Sequence, residues 1–234
     1  MTRGYAPDVA ACAVALALLL LWDASGFDLT LLRMVGDASG FAWRDQWFAR
    51  GVLHEGGRAL GWAVFAALAL NLRWPLPFAR DLSHRDRLWW FATTLTCLLL
   101  IELTKRMSLT SCPWSLAEFG GSAHFVSHWA FGVRDGGPGG CFPSGHASGA
   151  FSFLCGWFLL RRRHRKAACW WLAATLGAGL AFGIAQTLRG AHPPSHTLWT
   201  AWICLAVSTI SYHGFARWRD AGRRSTAIVA NAMP

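Results

Sequence analysis

Six stretches of mostly apolar residues run along the chain and are separated by short segments rich in charged side chains. A helix that crosses a bilayer needs about 20 predominantly apolar residues, and each stretch approaches this length. The pattern therefore predicts an all-α polytopic membrane protein, a bundle of six transmembrane helices that forms one integral membrane domain over residues 1–234. The predicted spans are Asp8–Ala24, Gly57–Leu72, Leu88–Leu103, Phe142–Leu160, Ala167–Gln186 and Thr197–Phe215.

The first two spans are joined by a stretch of mixed character, residues 23–56. It combines acidic side chains and arginines with several aromatic rings, among them Phe41, Trp43 and Trp47. Charged and aromatic residues mixed in this way are typical of segments that lie in the membrane interface. We therefore expect an amphipathic segment on the outer face between spans one and two.

The composition supports the membrane interpretation. Hydrophobic residues make up 54% of the chain and charged residues only 15%, against roughly a quarter charged in average soluble domains. This hydrophobicity excludes a disordered chain. Seven cysteines in 234 residues are too few for a small disulfide scaffold.

The net charge of +10 is concentrated in alternate segments between the spans. Arginine and lysine accumulate on the cytoplasmic side of membrane proteins, so the distribution sets an orientation and does not indicate nucleic-acid binding. It predicts a multi-pass protein with both termini in the cytoplasm. The residues assigned to that side are Arg3, Arg73, Arg80, Arg85, Arg87, Arg161, Arg162, Arg163, Arg165, Lys166, Arg217, Arg219, Arg223 and Arg224.

Polar residues that carry chemistry gather at the opposite, outer ends of the predicted spans. Cations and imidazoles with few acids nearby suit a phosphate, because cations bind its oxygens and an imidazole can attack phosphorus or protonate a leaving oxygen. The candidates are Lys105 and Arg106 at the end of span three, Ser144, Gly145 and His146 at span four, and Arg189, His192 and His196 before span six.

The spacing of these residues resembles the type 2 phosphatidic acid phosphatase superfamily over about residues 88–215. That family's signature reads K-x6-R-P, then P-S-G-H, then S-R-x5-H-x3-D. The corresponding segments here are Lys105 to Pro113, Pro143 to His146, and Ala185 to His196. The amino-acid sequences of these three segments are similar to those of a divergent bacterial membrane branch of the superfamily.

The resemblance implies a mechanism residue by residue. His192 would be the nucleophile that forms a phosphohistidine, and His146 the general acid for the leaving group. Lys105, Ser144 and the Gly145 backbone N–H would bind phosphate oxygens. No metal or other cofactor is expected.

Four positions depart from the signature. Cys112 stands where the first motif has arginine, Ala185-Gln186 where the third opens with Ser-Arg, and His196 where it ends with aspartate. We expect Arg189 and Arg106 to substitute for the missing arginines.

Support for His192 then has several candidate sources. An acceptor nitrogen of His196 can orient the His192 ring, but it cannot stabilise an imidazolium by charge. A distant carboxylate can, with Glu55 as the main candidate and Glu118 and Asp135 as weaker ones.

Two cysteines lie in a predicted outer loop, Cys112 and Cys141, whereas the other five lie inside predicted spans. The outer compartment of a bacterium is oxidising, so thiols there form disulfides. We predict a Cys112–Cys141 disulfide that ties the first motif to the second. The alternative is two unpaired loop thiols.

The expected function is hydrolysis of a lipid phosphate or pyrophosphate at the outer, periplasmic face of the bacterial inner membrane. The expected partner is the lipid substrate, with no nucleic acid; the sequence identifies neither the lipid nor any protein partner. Alternatives are a lipid phosphotransferase on the same site, or a phospholipid-binding or translocating protein without catalysis. A zinc hydrolase built on His124 and His128 with His146 and Glu55 is a further alternative, because histidines four residues apart on a helix can bind metal.

Overall fold

The computed structural model of the chain describes residues 5–231 and the side chains of residues 5–221. Arg3 lies outside the described residues, as do the side chains of Arg223 and Arg224. Eight α-helices account for most of this part of the chain. They are α1 (Tyr5–Ser25), α2 (Phe27–Arg33), α3 (Gly57–Arg73), α4 (His84–Met107), α5 (Gly145–Phe151), α6 (Cys155–Leu160), α7 (Arg165–Leu188) and α8 (Pro194–Asn231).

The described chain is mostly helical, and three of its helices have the length and apolar composition needed to cross a membrane. These are α1, α4 and α7, which coincide with the first, third and fifth predicted spans. Helices also occupy the other predicted positions, but α3 has 17 residues and α8 has 38. The structure thus shows a helical protein with membrane-spanning character.

The fourth predicted span is not one continuous helix. Helix α5 ends at Phe151, a 3₁₀ turn covers Ser152–Leu154, and α6 follows from Cys155 to Leu160. Glycine and serine recur in this stretch, at Ser148, Gly149 and Ser152. These residues favour an α-helix less than leucine or alanine does. The predicted single span therefore consists of two short helices and a tighter turn.

The segment between α1 and α3 has more structure than an interfacial helix. It contains α2 and a two-stranded antiparallel hairpin, in which Gly36–Asp37 pairs with Gly40–Phe41. A π-helical stretch, Phe48–Gly56, then leads directly into α3. The hairpin places Phe41 in a small core with Leu116 and Phe119, so this segment packs onto the later outer loop.

Close helix packing depends on glycines that face large side chains. A Cβ on Gly156 would lie 2.5 Å from the Trp90 ring, and one on Gly179 would lie 2.3 Å from the Phe151 ring. Small residues at helix interfaces let backbones approach closely, which drives helix association in membranes. Trp90 and Phe151 are accordingly buried among α4, α5, α6 and α7.

The arginine-rich ends of the helices meet at one end of the bundle. Arg161, after α6, donates from Nη1 and Nη2 to the two Asp8 carboxylate oxygens at 2.7 and 2.6 Å, and His213 Nε2 lies 2.8 Å from Asp8 Oδ2. Arg219 of α8 donates to Asp86 at the start of α4 at 3.0 Å. The candidate site residues lie at the opposite ends of α4 and α7.

The Asp8 cluster gives a first stability prediction. Replacing Asp8 by alanine leaves the largely buried Arg161 without its carboxylate, and breaking one partner of such a pair costs about 3 kcal/mol or more. We expect Asp8→Ala to lower the thermal unfolding midpoint of the detergent-solubilised protein clearly.

The control is Asp81→Ala, which removes an exposed pair with Arg163, whose side chains are 49% and 45% exposed. Such pairs contribute about 1 kcal/mol or less. Equal loss of stability in the two variants would contradict a structural role of the Asp8 cluster.

Candidate active site

Three chain segments meet at the end of the bundle opposite the arginine clusters. They are the last turn of α4 with Lys105, the start of α5 with Ser144 and Gly145, and the loop between α7 and α8 with His192. The backbone N–H of Ser144 donates to the His196 carbonyl at 3.2 Å. A Cβ on Gly145 would lie 3.4 Å from Lys105 Nζ, so the lysine lies against the start of α5. The three motifs of the sequence therefore form one site.

The loop that carries His192 is held by a glycine turn. Gly190 has a φ of 67°, a left-handed conformation that favours glycine. A Cβ there would also lie 2.2 Å from the Phe41 ring of the hairpin. The Gly190 carbonyl accepts a hydrogen bond from Trp114 N at 2.9 Å. The hairpin and the outer loop thus fix the approach of the chain to His192.

His192 is buried, with 5% of its surface exposed. Burial and the positive charge of Lys105 lower the pKa of His192 to about 3, so its imidazole is neutral at physiological pH. Its Nδ1 lies 3.4 Å from Cys141 Sγ. A disulfide sulfur has no proton and is a weak acceptor, so Nδ1 carries the ring proton and Nε2 keeps the lone pair. A neutral imidazole with a free Nε2 is the form a nucleophile requires.

Cys112 and Cys141 are joined by a disulfide, with Cα atoms 5.1 Å apart. This is the pairing that the sequence predicts. Cys141 is fully buried, and its backbone N–H donates to the Thr110 carbonyl at 3.0 Å. The disulfide therefore ties the segment after α4 to the segment before α5 directly beside His192.

His196 does not take the role of the missing aspartate by bonding to His192. The two ring centroids are 5.7 Å apart, and no hydrogen bond joins them in the described part of the chain. Instead His196 Nδ1 donates to the Cys141 carbonyl at 3.0 Å. Its ring packs edge-on against Phe142 at 5.1 Å. Both histidines are therefore oriented by Cys141.

His146 lies beside a second imidazole that the sequence analysis did not assign a role. The rings of His54 and His146 stack with centroids 4.6 Å apart, and His146 Nε2 donates to the Leu53 carbonyl at 3.1 Å. Burial lowers the pKa of His54, with further contributions from Arg189 and Arg58. No motif includes His54. The sequence features that could have indicated a role for it are its position four residues before Arg58 and its place at an outer helix end.

Arg189 lies against Gln186, the residue at a motif-arginine position. Its Nη1 donates to Gln186 Oε1 at 3.3 Å. Its Nε donates to the Arg44 carbonyl at 2.9 Å. Arg189 is buried, with 7% of its surface exposed. A guanidinium therefore reaches this part of the site from three residues further along the chain.

Ser144 carries an unpaired hydroxyl at the start of α5. Its Oγ is buried and has no hydrogen-bond partner among the described residues, although its carbonyl accepts from Thr200 Oγ1 at 3.0 Å. A buried polar atom without a partner is costly and is usually satisfied by a ligand or water. Phosphate oxygens would satisfy Ser144 Oγ while Lys105 and Arg189 balance their charge.

Two predicted site residues do not join this cluster. The Arg106 side chain is 73% exposed and pairs with Glu102 at 2.8 Å. It points away from Lys105, because consecutive helical residues point about 100° apart. Glu55 is 56% exposed and lies 3.8 Å from Arg50 Nε. No hydrogen bond or ion pair links Glu55 to His192 within residues 5–221.

A carboxylate that the sequence analysis missed holds the loop from behind. Asp28 of α2 accepts hydrogen bonds from the backbone N–H and the hydroxyl of Ser195, with the backbone donor at 3.0 Å. Ser195 is in the first turn of α8, where a negative charge is favourable. Trp22 Nε1 also donates to Asp28 at 2.9 Å. Asp28 thus fixes the segment that follows His192.

The four residues of the zinc alternative do not come together. His124 is exposed, and His128 lies 3.2 Å from Asp23 and packs against His196 with ring centroids 5.6 Å apart. In the described part of the chain, one group of three metal-ligand atoms lies within 4.8 Å, that of Cys112, Cys141 and His192. Two of these ligands are already bonded to each other, so the group does not fit a zinc ion.

Comparison with known proteins places this site in a family. A family model described as the PAP2 superfamily matches residues 86–220, which is more than half of the 234-residue chain. Comparisons with curated proteins and with solved structures gave no match. The chain therefore belongs to the PAP2 superfamily, whose members are generally phosphatases that act on phosphate esters, often those of lipids.

Proposed function

We propose that the protein is a metal-independent lipid phosphatase that works through a phosphohistidine at His192. The observation that carries this proposal is the buried, neutral His192 imidazole beside Lys105, with its Nδ1 turned to the disulfide. The unpaired Ser144 hydroxyl and the Arg189 guanidinium supply phosphate-binding groups nearby. Attack by an imidazole needs such preorganised donors, because negative charge is redistributed on the phosphoryl oxygens in the transition state.

The proposed reaction consists of two displacements at phosphorus. In the first, the lone pair of His192 Nε2 forms an N–P bond as the P–O bond to the leaving group breaks. His146, protonated on both ring nitrogens in the phosphate-bound state, gives its Nδ1 proton to that oxygen and becomes neutral. In the second, a water oxygen attacks phosphorus, His146 takes a proton from this water, and the N–P bond breaks. Since His146 Nε2 already donates to Leu53, Nδ1 is the nitrogen assigned to these transfers.

An apolar groove supports a lipid as the substrate. It has a volume of about 170 Å³ and runs between α3, α5 and α7, where Gly61, Gly149 and Ala178 form part of its lining. Phe182 lines the groove as well and packs on the His146 ring at 4.9 Å. The groove therefore runs from beside the proposed general acid along α7, a helix of membrane-spanning character, which suits an acyl or prenyl chain.

The membrane location is part of the same proposal. We place the protein in the bacterial inner membrane as a single domain of six spans, with both termini in the cytoplasm and the site facing the periplasm. The arginine-rich helix ends at one end of the bundle support this orientation. A disulfide beside the site supports an oxidising compartment at the other end.

The site residues support catalysis over binding of a headgroup alone. Binding a headgroup without catalysis requires cations and the Ser144 hydroxyl, but it requires neither a neutral buried His192 nor a second imidazole at His146. A phosphotransferase would use the same phosphohistidine, with an acceptor hydroxyl in place of water. The first experiment below separates these three functions.

We expect the purified protein in detergent to release phosphate from at least one of four lipids: undecaprenyl pyrophosphate, lipid A, phosphatidylglycerol phosphate and phosphatidic acid. Release should persist in EDTA, because no metal takes part in the proposed steps. His192→Ala should lower the rate by at least about a thousandfold, since it removes the group that bonds to phosphorus. Colorimetric phosphate release measures both effects.

Gln46→Ala, a polar change in the outer segment, serves as the matched control and should retain the wild-type rate. Loss of activity in EDTA with restoration by zinc would contradict the metal-free mechanism. Transfer of the phosphate to an added alcohol without release would indicate a phosphotransferase. A folded protein that binds the lipids but neither releases nor transfers phosphate would contradict catalysis.

The groove gives a prediction about substrate size. A Cβ on Gly149 would meet nothing within 4 Å, so Gly149→Leu should fold and place its side chain in the groove. We expect this variant to lower kcat/KM for the long-chain lipid about tenfold or more, because the chain loses its apolar contacts. Its kcat/KM for a short water-soluble phosphate ester should change little.

Gly177→Leu is the control for this experiment. A Cβ on Gly177 also meets nothing within 4 Å, but Gly177 is not among the residues that line the groove. It should leave both substrates unaffected. An equal loss on the lipid and on the short ester in Gly149→Leu would contradict the assignment of the groove to the lipid chain.

A further inference from the structure

A second cavity lies behind the loop that carries His192. It has a volume of about 210 Å³ and is bounded by the end of α1, by α2, by the outer loop after α4, and by Pro193 and His196. A cavity of this size has room for a small organic molecule together with water. The proposed phosphatase mechanism does not use it.

Three carboxylates line the cavity, those of Asp23, Asp28 and Asp135. Their hydrogen-bond donors carry no fixed charge. Asp28 accepts from Trp22 and Ser195. Asp135 accepts from the backbone N–H of Ser111 and of Gly137 and from the Ser111 hydroxyl.

Asp23 has a buried carboxylate oxygen that accepts no hydrogen bond from the described residues. Its Oδ2 accepts from Trp129 Nε1 at 3.0 Å and Trp199 Nε1 at 2.8 Å, and His128 Nε2 lies 3.2 Å away. Its Oδ1 has no hydrogen-bond partner among the described residues, although the side chain is only 7% exposed. A buried carboxylate oxygen without a donor is unfavourable.

No fixed cation of the chain compensates this charge. Within the described residues, no lysine or arginine nitrogen lies within 4.0 Å of any of the three carboxylates. Burial lowers the pKa of His128, against the opposing effect of Asp23, so this imidazole is neutral at physiological pH. The cavity therefore holds an excess of negative charge in a partly enclosed space.

We propose that this cavity binds a primary ammonium group, carried either by a small free amine or by an amine-bearing lipid headgroup. An ammonium offers three N–H donors, and Asp23 lines the cavity with one carboxylate oxygen that has no donor among the described residues. Aromatic residues complete the walls, with Trp22, Phe125 and Trp129 in the lining. Aromatic faces attract cations, so the walls favour an organic cation.

A metal ion fits this cavity less well than an ammonium group. A divalent ion needs several ligand atoms gathered around one point. Within residues 5–221, no three ligand atoms of the cavity residues lie close enough together to surround one ion.

The test measures binding without turnover, so it is independent of the proposed phosphatase activity. The full-length protein, purified in detergent free of amine lipids, is titrated calorimetrically with ethanolamine and with choline at constant ionic strength. We expect ethanolamine to bind at least about tenfold more tightly, because choline has no N–H donor for Asp23. Asp23→Asn should weaken ethanolamine binding by a similar factor, since it removes the charge while keeping an acceptor for Trp129 and Trp199.

Asp37→Asn is the matched control, since it removes an exposed carboxylate of the hairpin and should leave binding unchanged. Trp129→Leu is a second variant that removes an aromatic wall and should also weaken binding. If Asp23→Asn fails to fold, this variant and the wild-type preference for ethanolamine over choline still decide the question.

A second arm distinguishes the sources of the ammonium group. The protein is placed in nanodiscs of phosphatidylcholine with or without phosphatidylethanolamine, and ethanolamine is titrated again. Reduced apparent affinity in the presence of phosphatidylethanolamine would assign the cavity to a lipid headgroup, and unchanged affinity to a free amine. Equal binding of ethanolamine and choline, binding of Ca²⁺ in preference to either, or no ethanolamine binding by the wild type would overturn the proposal.

Discussion

The site depends on one residue, Cys141, which connects the two halves of the catalytic arrangement. Its sulfur is bonded to Cys112 and lies beside His192 Nδ1, and its carbonyl accepts a hydrogen bond from His196 Nδ1. The segment that follows Cys141 leads directly to Ser144 and His146. A shift of Cys141 would therefore move the proposed nucleophile and the phosphate-binding hydroxyl together. The disulfide stands where the family signature has an arginine, so a covalent link replaces a charged side chain at this position.

Charge is divided between the two sides of the loop that carries His192. Lys105 and Arg189 lie on the side where we propose that phosphate binds, and their positive charge suits an anion. Burial and the charge of Lys105 lower the pKa of His192 and keep it neutral. Carboxylates lie behind the loop, where Asp28 binds the first turn of α8 through Ser195. The signature places its supporting carboxylate within the loop itself. Here a carboxylate comes from α2, outside the residues that match the family model, and it supports the backbone of the loop.

The sequence predicts the parts of this site that depend on local spacing. Lys105, Ser144, His146 and His192 could be assigned because each motif lies at a helix end, and helix ends on one side of a membrane lie near each other. The cysteine pair could be assigned because the other cysteines lie in predicted spans. The broken helix at Ser152 was not predicted, because its apolar composition is the same as that of a continuous span.

The remaining features depend on contacts between segments far apart in sequence. His54 stacks on His146, and Asp28 binds Ser195, but no spacing rule relates those residues to each other. Arg106 was assigned wrongly to the cluster because the sequence shows that it neighbours Lys105 but does not show which helix face it occupies. Glu55 was assigned from its position at an outer helix end, whereas its carboxylate lies beside Arg50.

The most direct test of this account is to trap the covalent intermediate and determine which nitrogen carries the phosphoryl group. The protein is mixed rapidly with lipid substrate labelled with ³²P, quenched in alkali to preserve phosphohistidine, digested, and mapped by mass spectrometry. Because Nδ1 of His192 faces the Cys141 sulfur, the account predicts phosphorylation of His192 at Nε2. Phosphorylation at Nδ1 or on His146, or product formation without any phosphohistidine, would contradict it.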